Sequence, residues 1–180
     1  MPFCTKMLKK YSNKLVTLHW LTVPLLIFSL VMGTLVLAEL PNNAEKINSL
    51  RVHMLVGFVI GLLILIRIFV KKKHEPLEPL KIDNPVRKKL IKVTHFSLYT
   101  LLLLMVSSGV SLSLISGVGE IAFFGSTAAL PEDFEVFLPK TAHAIFAKVL
   151  FAFIGILIVG VLLYKFKTDS SISKRMWFGK

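Results

Sequence analysis

The sequence predicts an all-α, integral-membrane protein: a four-helix up-down bundle forming a single domain over residues 1–180. Three observations carry that prediction. Of the 180 residues, 54% are hydrophobic and 18% charged, with a mean hydropathy of +0.72, more apolar residue than a water-soluble domain of this size carries. The apolar residues gather in four runs, at about 15–40, 52–70, 93–115 and 142–164, each near or above the roughly 20 residues that cross a hydrocarbon core. None of the runs alternates in polarity as a barrel strand does, and lipid admits only helices or closed barrels, because each backbone polar group must find its partner within the protein.

The first run follows Lys6, Lys9, Lys10 and Lys14, which gives it the look of a signal peptide. Its apolar stretch is too long for one and no cleavage site precedes Pro41, so a retained helix is expected. Pro24 and the glycines are tolerated, since small residues and occasional prolines are common in membrane helices. The second and third runs are joined by Lys71 to Lys92, a charged connection with Pro76, Pro79 and Pro85 that is expected to lie extended along the inner surface. The third and fourth are joined by Ser116 to Lys140, where Phe123, Phe124, Phe134 and Phe137 sit among glycines and prolines. That composition predicts a lid packed at the outer interface. Cys4 is the single cysteine, which excludes an internal disulfide and the C-x-x-C-H attachment of a c-type haem.

Lys and Arg outnumber Asp and Glu by 22 to 10, a formal charge of +12. Nine of the basic residues fall between Arg67 and Lys92, four precede the first run and five follow Tyr164, whereas the other two loops hold only Lys46, Arg51 and Lys140. This asymmetry places both termini and the middle loop in the cytoplasm. The charge is then a topology signal with some attraction to anionic membrane lipid, and no nucleic-acid partner is expected.

Four of the five histidines lie inside predicted helices, one on each: His19, His53, His95 and His143. An ionisable side chain at membrane depth is costly unless partnered, so each is a functional candidate. The up-down topology sorts them by depth, with His53 and His143 near the outer face and His19 and His95 near the inner, the two levels roughly 20 Å apart. Facing helices of a bundle can supply two axial imidazoles to one haem iron, which is the chemistry this pattern suits. Zinc would call for a tighter cluster with Cys or carboxylate. Gly57, one turn beyond His53, leaves room for a flat macrocycle, and Gly61 does so a turn further on, though close helix packing accounts for glycine equally well. Arg51 and Lys148 are the cations nearest the outer level and suit haem propionates, with snorkelling the alternative for Lys148. His74, in the charged loop, reads as a solvated surface residue.

These residues resemble the bacterial cytochrome b561 family and the related cytochrome b subunits of hydrogenases and formate dehydrogenases. The likeness rests on His19-Trp20, His53 with Gly57 and Arg67, His95-Phe96-Ser97-Leu98-Tyr99, Phe124-Gly125 before His143, and the tail Lys174-Arg175-Met176, covering about Tyr11 to Met176. The resemblance implies a cytochrome of the bacterial inner membrane that uses haem b to relay electrons between quinone or quinol and a redox partner at the outer face. It also implies that His53 and His143 bind the outer haem. For the inner haem it implies His19 and a histidine fourteen residues after His143, where this chain has Leu157. Three outcomes stay open there: His95 replaces the missing ligand, the site is five-coordinate, or it is empty.

The function expected is therefore electron relay within a respiratory chain, with no nucleophile-base pair or phosphate loop to suggest substrate chemistry. An anchor subunit of a larger oxidoreductase and a cofactor-free transporter or scaffold are the rival readings. A homodimer is compatible with the sequence, which does not fix the donor, the acceptor or the direction of flow.

Overall fold

The computed structural model describes residues 11–73 and 85–167. Helix α1 covers Asn13–Val31 and runs on through a π-helical turn, Met32–Val36; α2 covers Ala44–Lys73, α3 Pro85–Ile115, α4 Val118–Phe123 and α5 Leu138–Lys167. Among the described residues there is no strand. Four helices are long and apolar enough to cross a membrane, over Asn13–Val36, Ala44–Lys73, Lys88–Ile115 and Leu138–Leu163. The chain is thus a multi-pass, all-α membrane protein.

The helices outrun the apolar runs that foretold them. The second starts at Ala44 where hydropathy alone points to 52, the third at Pro85 where it points to 93, and the fourth at Leu138 where it points to 142. Hydropathy marks only the stretch inside hydrocarbon, while Glu, Lys and Arg are good helix formers and carry the helix on into the headgroup region. Residues 85–92 are accordingly helical, not extended as the prolines suggested. The first span ends sooner, at Val36, through the π turn closed by the Leu37 N–H on the Met32 carbonyl at 2.9 Å. His74, Pro76 and Pro79, together with Cys4 and the Lys174-Arg175-Met176 tail, lie outside the described residues.

Within the bundle α3 packs chiefly against α5 and α1 against α2, and α2 also lies on α3. Heptad-like stripes make these seams. On α5, Ala147, Leu150 and Ile154 face Leu98, Leu101, Leu102 and Met105 of α3, and Leu30 of α1 closes the cluster. Between α2 and α3 the approach is close enough that a Cβ on Gly61 would come 3.0 Å from Val106 Cγ1. Gly61 is therefore a packing glycine. The outward faces stay apolar, with Phe58, Phe69, Leu114 and Phe151 more than half exposed, as a lipid-facing surface requires.

The end of the bundle that carries α4, expected from the charge pattern to be the outer one, is stitched together by polar contacts. A left-handed turn at Gly117 (φ 71°) starts α4, which buries Val118, Ile121 and Ala122 against α2 and α3. Arg51 Nε donates to the Ala122 carbonyl at 2.6 Å, Asn42 donates to the Pro131 carbonyl at 2.9 Å, and Lys140 pairs with Glu135. The outer connection thus packs onto the bundle, and it does so through a short helix that composition did not reveal.

Candidate functional site

α2 and α5 both pack on α3 and lie diagonally across the bundle, without an extensive backbone contact of their own. His53 on α2 and His143 on α5 point into the space between them, with ring centroids 6.2 Å apart and ring planes at 75°. Two imidazoles bound to opposite sides of one iron, each through a nitrogen about 2 Å away and about 1.2 Å from its own ring centroid, would have centroids about 6.4 Å apart. The observed spacing fits a haem iron between the rings. Among the described residues no three of His, Cys, Asp or Glu gather in one place, so the pair lacks the donors a protein-only metal site needs. A haem supplies the other four donors itself.

Each ring is held from behind by a neighbouring helix. Ser108 Oγ on α3 lies 3.0 Å from His143 Nδ1, and Ser29 Oγ on α1 lies 3.4 Å from His53 Nδ1. A Cβ added to Gly109 would come 3.2 Å from His143 Cε1, and one added to Gly33 would come 3.1 Å from His53 Cε1. Both imidazoles therefore sit against bare backbone that any side chain would crowd. Gly33 lies within the π turn, a departure from α geometry that is frequent at functional sites. Ser29, Gly33, Ser108 and Gly109 were not singled out by the sequence. Serine and glycine in a membrane helix usually mean helix packing, and the only sequence signal is their depth, close to that of the two histidines.

Other candidates fall around this centre. A Cβ on Gly57, one turn beyond His53, would meet nothing within 4 Å, which fits the open side of the pocket and separates it from the packed Gly61. Arg51 uses two N–H groups, on the Ala122 carbonyl and on Asn48 Oδ1 at 3.0 Å, and so keeps three of its five donors. Lys148 is exposed on α5, five residues beyond His143.

The level of His19 and His95, expected from the charge pattern to be the inner one, is built differently. His19 is half-buried, with its ring edge-on to Trp20 at 5.5 Å between centroids. His95 is exposed, and its Nδ1 lies 2.8 Å from the Ile91 carbonyl of its own helix. The firmest link at this depth joins α2 to α3, where Arg67 Nε donates to Tyr99 Oη at 2.9 Å; Lys71 Nζ stands 5.2 Å from the Tyr99 ring centroid. Sequence reasoning quoted Arg67 and Tyr99 without giving them a task. Fourteen residues make about four turns and about 21 Å of rise, so the stripe holding His53 reaches the inner level at Arg67, and that holding His143 reaches it at Leu157.

The family model described as prokaryotic cytochrome b561 matches residues 10–179, nearly the whole chain. No curated protein matches it.

Proposed function

The chain belongs to the prokaryotic cytochrome b561 family, a family of membrane b-type cytochromes in electron transfer, and from that premise we propose that it binds one haem b at its outer level, which His53 and His143 would hold through their imidazoles. The observation that carries this reading is the 6.2 Å centroid spacing of the two imidazoles. A bound haem supplies one-electron exchange between ferric and ferrous iron. The rest is the protein's work: α2 and α5 aim the imidazoles, Ser29 and Ser108 hold them from behind, and Gly33, Gly57 and Gly109 keep the space clear. Arg51, through its remaining donors, and Lys148 are the cations available to propionates. The apolar bundle keeps water away and thereby sets the potential.

One haem per chain, not two, is supported by the inner level. The α2 and α5 stripes, which carry the outer pair, present Arg67 and Leu157 there, and His95 is exposed where His53 and His143 are half-buried. A lipid-soluble quinol or quinone is the natural exchange partner for a haem enclosed by membrane helices, with a second redox partner reaching the outer face over α4. The positive-inside charge pattern supports cytoplasmic termini in a bacterial inner membrane.

A reduced-minus-oxidised spectrum with haem quantification on the purified chain tests the proposal. One low-spin haem per chain is expected, and none in His53→Ala or His143→Ala. Full low-spin haem in either variant refutes the ligand pair, and two haems in the parent chain refute the count.

A further inference from the structure

We propose that Ser108 is a positioning residue that fixes the tautomer and the orientation of His143, and through them the potential and retention of the haem. The inference rests on the haem reading above and adds an unassigned residue to it.

The evidence lies in how the Ser108 hydroxyl spends its proton. Ser108 is buried, with 8% of its surface exposed, and its Oγ donates to the Met105 carbonyl at 3.0 Å. A hydroxyl has one proton and two lone pairs. With that proton donated to the Met105 carbonyl, which can only accept, the oxygen is left to accept from His143 Nδ1, 3.0 Å away, an arrangement that assigns the ring hydrogen to Nδ1. A neutral imidazole with its hydrogen on Nδ1 leaves the Nε2 lone pair bare, which is the form that ligates iron.

The next residue fixes the ring's other edge. Gly109 places backbone where a Cβ would stand 3.2 Å from His143 Cε1. A half-turn of the ring about Cβ–Cγ would exchange Nδ1 for a carbon and break the bond to Ser108, so consecutive residues of α3 define one orientation. Met105, Ser108 and Gly109 share a helix face by their i, i+3, i+4 spacing, and it continues the stripe of Leu98, Leu101, Leu102 and Met105 that seats α5. The seam turns from apolar to polar and small where it meets His143.

His53 provides the internal contrast. Its contact with Ser29 is 3.4 Å, at the outer limit for a hydrogen bond. His143 is the locked ligand of the pair and His53 the looser one. An Nδ1–H that donates to oxygen makes the imidazole a stronger electron donor, which favours ferric iron and lowers the potential.

The test measures midpoint potential and haem retention in the haem-loaded full chain for Ser108→Ala, Ser108→Thr, Ser108→Cys and Ser29→Ala. Ser108→Ala is expected to raise the potential and weaken retention by about 10- to 100-fold. Threonine, which keeps the hydroxyl, should restore both, and cysteine, a poorer acceptor, should shift both in the alanine direction by less. Ser29→Ala should change them less than Ser108→Ala does. Parental potential and retention in Ser108→Ala overturn the inference, as do parental values in Ser108→Cys should the alanine variant fail to fold. A parent chain without haem, or one that keeps its low-spin haem in His143→Ala, overturns the haem reading and this inference together.

Discussion

Gly109→Ala probes the cradle with the least disturbance elsewhere. The new methyl would sit 3.2 Å from His143 Cε1 and 3.5 Å from Nδ1, whereas carbon atoms pack best at about 3.5–4.0 Å. The ring must therefore retreat by a few tenths of an ångström. It can do so only by stretching its 3.0 Å contact with Ser108 or by moving toward the iron. Overpacking of this kind costs about 1–3 kcal/mol. Against it stands the helix propensity that alanine gains over glycine, about 1 kcal/mol, which acts on the fold and not on the ligand. Where the ring is free to yield, the two effects nearly cancel and helix content stays unchanged. Where iron holds the ring from its far side, the strain falls on the haem bond, and about 1–3 kcal/mol corresponds to roughly a 5- to 150-fold loss of retention. Transfer of haem to an acceptor in excess measures that loss, with circular dichroism as the check on the fold. Gly155→Ala is the control, because a Cβ there meets nothing within 4 Å. Equal haem retention in the two variants would refute the cradle.

Lys148→Met should lower the midpoint potential, because a cation near the haem favours the reduced state, and should weaken retention by less than about tenfold, as befits an exposed charge; Lys148→Arg should restore both, and a potential unmoved by methionine would leave Lys148 a snorkelling lysine. Leu157→His should raise the haem-to-protein ratio above that of the parent chain by giving His19 a facing imidazole at the inner level. A ratio that stays unchanged would show that the missing α5 ligand is not what limits the inner level.

The membrane bundle was legible because hydropathy acts over whole helices. The convergence of His53 and His143 was legible for a related reason: each stands near the outer end of its own span, and an up-down bundle brings such ends together. Helix ends were not, since the hydrocarbon boundary and the helix boundary are set by different forces. The six residues of α4 were hidden because Val118, Ile121 and Ala122 fall among glycines and aromatics that read as loop. Gly57 and Gly61 look alike in sequence, yet one borders open space and the other touches Val106. Ser108 was beyond reach for a deeper reason. Its meaning depends on which ring of α5 comes within reach of its hydroxyl, and that is set by the packing of α3 against α5.

The difference between the two levels bears on the direction in which electrons travel. At the outer level the stripes of α2 and α5 present two imidazoles; about 21 Å further in, by helix rise, the same stripes present a guanidinium and a leucine. The Arg67 side chain donates to Tyr99 there, which ties α2 to α3. A chain with one outer haem has no second cofactor to carry an electron on toward the cytoplasmic side. On the proposed one-haem reading, donor and acceptor would both reach the half of the bundle that holds His53 and His143, a quinol from within the lipid and its partner from above α4. Such a carrier moves electrons along one face of the membrane and does not itself separate charge across it. Reconstituted into sealed vesicles, the parent chain should support quinol oxidation by an outer acceptor without building a potential, and a membrane potential arising from that turnover would refute the one-haem reading.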